Sequence, residues 1–176
     1  MAVTELLLPL RSLFEWVDAL PSSVELRGTQ YLYSWIIVAH VMTMAMFAGL
    51  IVFMDVRLLG AGHMRTPFSQ IQRRLFPWQM TAFALAVITG GALLYAQPLR
   101  YYTSVYFWMK LATMGLAGLN ALAFEYVTVQ TMPAWDAARR PPAAARLAGC
   151  LSLVLWAVVI IEGRLIPYAL TWFPSE

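Results

Sequence analysis

The feature that limits this chain most is the apolar run from Trp35 to Met54, set inside the segment Tyr31–Gly60. One ionisable residue, His40, interrupts it, and it closes on Asp55-Val56-Arg57-Leu58-Leu59-Gly60. A run of about 20 apolar residues makes a helix long enough to cross a ~30 Å hydrocarbon core. Three more runs of that length follow. Of 176 residues, 61% are hydrophobic and only 12% charged, about half the charge of an ordinary soluble domain. One small core cannot hide that much apolar surface, so lipid must solvate much of it. The expected fold is all-α: an integral membrane four-helix up-down bundle with an N-terminal interfacial amphipathic helix.

Residues 1–29 read as that amphipathic helix and its linker, and 30–176 as the four-helix transmembrane domain. Leu6, Leu7, Leu10, Leu13, Phe14, Val17 and Leu20 share one face at helical spacing, with Arg11, Glu15 and Asp18 largely off it. Trp16 is a natural interfacial anchor, and Pro21-Ser22-Ser23 should end the helix. A missing basic n-region and the acidic Glu5, Glu15 and Asp18 argue against a cleavable signal. The spans are expected at about 31–59, 77–97, 104–130 and 143–166. Pro77 would sit in the first turn of the second, a favoured place for proline, after a polar loop at 60–75. Pro98-Leu99-Arg100 makes a short turn, a proline- and arginine-bearing loop follows the third span, and Pro167 bends or ends the fourth. Short links favour up-down connectivity.

Basic residues divide unevenly between the two sides. Arg57, Arg65, Arg73, Arg74, Arg139, Arg140 and Arg146 fall on one; Arg11, Arg27, Arg100 and Arg164 fall on the other, with Lys110 just inside the third span. Positive charge favours the cytoplasm, which puts both termini outside. Trp35, Tyr95, Trp108 and Trp172 would then mark the outer interface, and Trp78, Tyr126 and Trp135 the inner one. Small residues at Ala82, Ala86 and Gly90, and at Ala117 and Ala121, mark faces where helices approach closely. A formal charge of +3 is too small and dispersed to suggest a nucleic-acid partner, and none is expected. The implied partners are the bilayer and further membrane subunits or copies of the chain.

Chemistry must come from the polar residues inside the spans. At ~100° per residue, with His40 at zero, Met44 lies near +40°, Phe47 near −20°, Ile51 near +20° and Asp55 near +60°. Lys110, Met114, Ala117, Ala121 and Glu125 repeat those angles on the third span. Ionisable groups in lipid are costly and face the bundle interior or a partner. Lys110 is expected to pair with Glu162, and Arg57 with Asp55 or Glu125; Asn120 adds a neutral polar group. The alternative is that these charges snorkel or clamp helices.

A neutral His40 imidazole could hold haem iron or copper, with Met44, a soft donor, one turn away. Alternatively it donates to a neighbouring carbonyl as a packing residue, or relays protons. His63 lies about 23 residues on, ~35 Å along a straight helix. One chain therefore cannot clamp one haem with both histidines; a second axial ligand must be a Met or come from another subunit. Met42, Met44 and Met46 do not share a face, because residues two apart on a helix diverge. The single cysteine, Cys150, excludes an intrachain disulfide and a Cys-x-x-Cys metal site, and is expected to be a buried packing residue. No G-x-S-x-G, H-E-x-x-H or Walker loop is present, so no catalytic motif is expected.

Several of these positions carry a resemblance. They are Trp16, His40 with Gly49, the D-x-R-L-L-G tail at 55–60, Leu75-Phe76-Pro77-Trp78, Thr89-Gly90-Gly91, Tyr101, Phe107-x-x-Lys110 and Asn120-Ala121. Over most of its length the chain resembles a family of small bacterial inner-membrane proteins known only as a domain of unknown function. The resemblance implies the fold and a bacterial inner (cytoplasmic) membrane location, and no particular chemistry. Many members carry a histidine after the Phe that matches Phe124; this chain has Glu125 there.

Three function classes remain. One is a redox or electron-transfer subunit holding b-type haem or copper through His40. The second is a non-catalytic anchor or structural subunit of a larger membrane complex. The third is a small-solute or proton pathway lined by His40, Asp55, Lys110 and Glu125.

Overall fold

A computed structural model describes residues 8–61, 66–128, 131–136 and 141–169. Two short helices, α1 (Leu8–Asp18) and α2 (Pro21–Gly28), precede the first long helix, α3 (Gln30–Leu58). Next come α4 (Phe68–Ala96), the short α5 (Pro98–Tyr102) and α6 (Val105–Ala123). α6 runs into a π turn at Phe124–Thr128. The short α7 (Met132–Trp135) and the long α8 (Ala143–Leu165) complete the series, with a 3₁₀ turn at Ile166–Tyr168. No strand occurs among the described residues.

The four long helices are each long and apolar enough to cross a membrane, with mean hydropathy from 1.2 to 2.3 in their most apolar stretches. Only 11% to 22% of the residues in those stretches are buried. Side chains such as Val41, Leu119 and Leu147 are more than half exposed. Apolar surface on that scale would be unstable in water. The chain is a multi-pass membrane protein, an all-α four-helix bundle.

Packing runs α4–α3–α8–α6, while α4 and α6 make little direct approach. Ala82 and Ala86 are buried and bring α4 against α3, where Phe47 and Ile51 fill the space. Phe47 stands edge-on to Trp156 of α8 at 4.7 Å and beside Phe83 at 5.3 Å. This makes an aromatic layer across the middle of the bundle. Gly149 sets the α8–α3 distance, because a Cβ there would lie 3.0 Å from Leu58 Cβ and 3.3 Å from the Asp55 carbonyl. Ala117 is buried on α6, but Ala121 is exposed, so the small-residue strip expected there stops after one turn.

The end of the bundle that carries Arg57 holds a second core of Leu58, Phe68, Met132, Trp135 and Ala145. Here the second span departs from expectation: it starts at Phe68, and Pro77 lies inside it. The cause is a distant cap. The Asp136 carboxylate accepts from the Ser69 N–H at 2.8 Å and from the Ser69 hydroxyl at 2.5 Å. The Asp136 carbonyl also accepts from the Phe68 N–H at 3.4 Å. These bonds satisfy first-turn groups that otherwise have no intrahelical partner, so the helix begins well before the proline. Trp135, expected at the membrane surface, is instead buried in this core.

The opposite end is covered by α1, α2 and α5. Phe14 packs on Tyr102 at 5.2 Å and Trp108 at 6.4 Å, and Trp108 Nε1 donates to the Tyr102 carbonyl at 2.9 Å. Pro21 opens α2 where a stop was expected, since proline suits a first helical turn. Ser23 Oγ donates to the Tyr95 carbonyl at 2.8 Å, and Arg27 bridges to Asp18 at 2.5 Å. Tyr95 and Trp108 therefore dock the cover. Trp16 remains 62% exposed along its outer edge. Burial, with Tyr33 adjacent, pushes the Tyr101 hydroxyl up to about 12, so it stays a neutral hydrogen-bonding group.

The glycine at 149 should be intolerant. Gly149→Val should lower stability in detergent by about 1–3 kcal/mol through overpacking, whereas Cys150→Val, at an exposed position, should change it by less than about 0.5 kcal/mol. Denaturant unfolding followed by circular dichroism checks this, and equal effects at the two sites would contradict the α3–α8 contact.

Candidate functional site

α3 presents His40 to α4. Its Nδ1 lies 3.0 Å from Thr89 Oγ1. The Thr89 hydroxyl donates its own proton to the Leu85 carbonyl at 2.7 Å, with the Ala86 carbonyl at 3.2 Å. With that proton on the Leu85 carbonyl the oxygen is left to accept, which assigns the donor role to His40 Nδ1, and the ring also hydrogen-bonds to the Ala86 backbone. Gly90 makes room for the ring: a Cβ there would come within 3.0 Å of Cε1. Met44 follows one turn later and is half-buried.

Across the bundle at the same depth, α6 sends Lys110 onto α8, where a Cβ at Gly163 would meet Nζ at 3.1 Å. Glu162 is buried, with 5% exposure. Its Oε1 accepts from the Thr113 hydroxyl at 3.1 Å, and Oε2 has no hydrogen-bond partner among the described residues. Lys110 interacts electrostatically with both Glu162 and His40. No direct ion pair within 4.0 Å joins Lys110 to Glu162. A polar layer thus runs through all four spans just below the covered end.

A second polar layer lies beyond the aromatic one. Asp55 is buried and faces Ser152 of α8, with Oδ2 unpartnered. Asn120 Nδ2 donates to the Ala148 carbonyl at 3.0 Å, tying α6 to α8. Arg57 is 1% exposed. The expected pairing of Arg57 with Asp55 or Glu125 is overturned: its Nε donates to the Thr66 carbonyl and its Nη2 to the Asp136 carbonyl, both at 3.3 Å. Two residues along a helix, Asp55 and Arg57 point to different neighbours. One guanidinium thereby fastens the end of α3 to both loops.

The structure separates residues that the helical angles put together. His40 faces α4 and Asp55 faces α8, about 22 Å apart along the axis at 1.5 Å per residue. Glu125 lies in the π turn and is exposed, so the third span does not repeat the inward face of the first. Met42 and Met46 are exposed, at 66% and 44%. Cys150, expected to be buried, is exposed, because its neighbour Gly149 takes the face turned to α3. His63 and Trp172 lie outside the described residues. Among the described residues no three His, Cys, Asp or Glu side chains converge as a metal site. For a haem or copper, the donor set at His40 is one imidazole, already bonded to Thr89 and to the Ala86 backbone, with the Met44 thioether one turn away.

The partners Thr113, Ser152, Gly163 and Asp136 escaped the reading of the sequence. Asp136 had a signal: it is the one acidic residue between Pro133 and Pro142. Comparison of the chain with protein-family models, with curated protein sequences and with solved structures finds no match.

Lys110 and Glu162 should be thermodynamically coupled without a direct bridge. A double-mutant cycle with Lys110→Met and Glu162→Gln, read by unfolding in detergent, should give a coupling of about 0.5–3 kcal/mol. Strict additivity would show that the two charges do not sense each other.

Proposed function

We propose that the chain is a non-catalytic integral membrane subunit, an anchor or structural brace in a larger membrane complex. One observation carries this reading: His40, Asp55, Asn120 and Glu162 each bond to a neighbouring helix, although Asp55 Oδ2 and Glu162 Oε2 keep no partner among the described residues. His40 joins α3 to α4, Asp55 joins α3 to α8, and Asn120 and Glu162 join α6 to α8. Arg57 joins α3 to the loops at its end of the bundle. The aromatic layer of Phe47, Phe83 and Trp156 lies between the two polar layers, which disfavours a continuous solute or proton pathway.

A second reading has its own support. Held by Thr89 at Nδ1, His40 would offer Nε2 as its donor to a metal, and a hydrogen bond of that kind orients ligating histidines. His40 would supply one position to a b-type haem or copper, Met44 or a second copy of the chain another, and the chain would pass electrons within a redox complex. In either case the resemblance and the arginine asymmetry favour a bacterial inner membrane with both termini outside.

The visible spectrum of the detergent-purified protein separates the two readings. The structural reading expects no Soret band and no stoichiometric copper. A Soret band with sharp reduced α and β bands, or bound copper, lost in His40→Ala, would establish the redox reading instead. Orientation has its own check. In a Cys150→Ala background, a membrane-impermeant maleimide applied from outside should label Arg100→Cys and spare Gln70→Cys; the reverse pattern would invert the topology.

A further inference from the structure

The weak contact between α4 and α6 leaves a cleft of about 420 Å³ at the arginine-bearing end, lined by Ser69, Gln72, Arg73, Phe76, Pro77 and Glu125. Its chemistry is divided. Arg73 supplies a cation and Gln72 an amide on α4; Glu125 supplies an anion from the π turn; Phe76 and Pro77 form an apolar wall. π turns within helices are frequent at functional sites, and this one brings Glu125 to the cleft. Neither Arg73 nor Glu125 makes an ion pair among the described residues. The Ser69 hydroxyl is already donated to Asp136.

The depth of the cleft is marked independently. The residue after Pro77 is Trp78, 60% exposed, and the residue after Glu125 is Tyr126, 69% exposed. Exposed Trp and Tyr on the two spans that flank the cleft mark the level of lipid headgroups. The wall continues along α4 through Phe76 and Met80, 48% and 39% exposed, toward the hydrocarbon, where acyl chains would lie.

We infer that this cleft binds a phospholipid headgroup that carries both a phosphate and a primary ammonium, namely phosphatidylethanolamine. Arg73 and Gln72 take the phosphate, Glu125 accepts from the ammonium, and the acyl chains follow Phe76 between α4 and α6. An anionic headgroup without an amine leaves Glu125 facing like charge. A trimethylammonium headgroup has no N–H to donate to the carboxylate.

Native mass spectrometry of the full-length protein, with phosphatidylethanolamine, phosphatidylcholine and phosphatidylglycerol of matched chains added equally, tests this. The wild type should retain phosphatidylethanolamine roughly two- to fivefold over each of the others, the scale of one exposed ion pair. Glu125→Gln should abolish the preference over phosphatidylglycerol. Arg73→Gln should lower retention of all three, while Arg74→Gln, at an exposed arginine outside the lining, should leave the preference intact. Equal retention by the wild type, or a preference unchanged in Glu125→Gln, would overturn the assignment.

Discussion

A polar group that enters hydrocarbon finds no water to bond with, and must be satisfied by the protein that carries it. This constraint explains more of the molecule than any single contact. His40 has Thr89, Asn120 has the Ala148 carbonyl, Glu162 Oε1 has Thr113, and Arg57 has two loop carbonyls, while Asp55 Oδ2, Arg57 Nη1 and Glu162 Oε2 lack a partner among the described residues. Each bond crosses from one element to another. Apolar packing against lipid gives helices little reason to associate, since acyl chains are as apolar as leucine. Polar ties and close approaches at Gly90, Gly149 and Gly163 therefore select this arrangement from many bundles of equal apolar quality.

The layers follow from depth. Two polar layers lie toward the ends of the spans, and the Phe47–Phe83–Trp156 layer lies between them. Each end is also closed by short helices outside the spans. α5 and α1 cover one through Tyr102, Trp108 and Phe14. At the other, the residue after α7, Asp136, caps α4 and receives Arg57.

Spans were legible in the sequence because apolar length against bilayer thickness is a one-dimensional test. The start of α4 was not, because Asp136 lies 67 residues from the Ser69 it caps, and local rules favour Pro77. Depth was legible too: His40, Lys110 and Glu162 stand out as ionisable residues at one level. Their neighbours were not, because a helical angle fixes which residues share a face of one helix and says nothing of which helix that face meets. The order α4–α3–α8–α6 sends His40 and Asp55 to different partners. The π turn then rotates Glu125 out of the register that Lys110 would assign to it, and Cys150 is turned outward by the glycine beside it.

The central claim is that His40 is a tie between helices, and its ring proton reports on that directly. Solid-state ¹⁵N NMR of histidine-labelled protein in bilayers, in a His63→Ala background, resolves His40 alone. A neutral ring protonated at Nδ1, whose nitrogen resonances shift when Thr89 is changed to valine, is the predicted result. Ring resonances that do not respond to Thr89→Val, or an Nε2 resonance displaced by a bound metal, would contradict it.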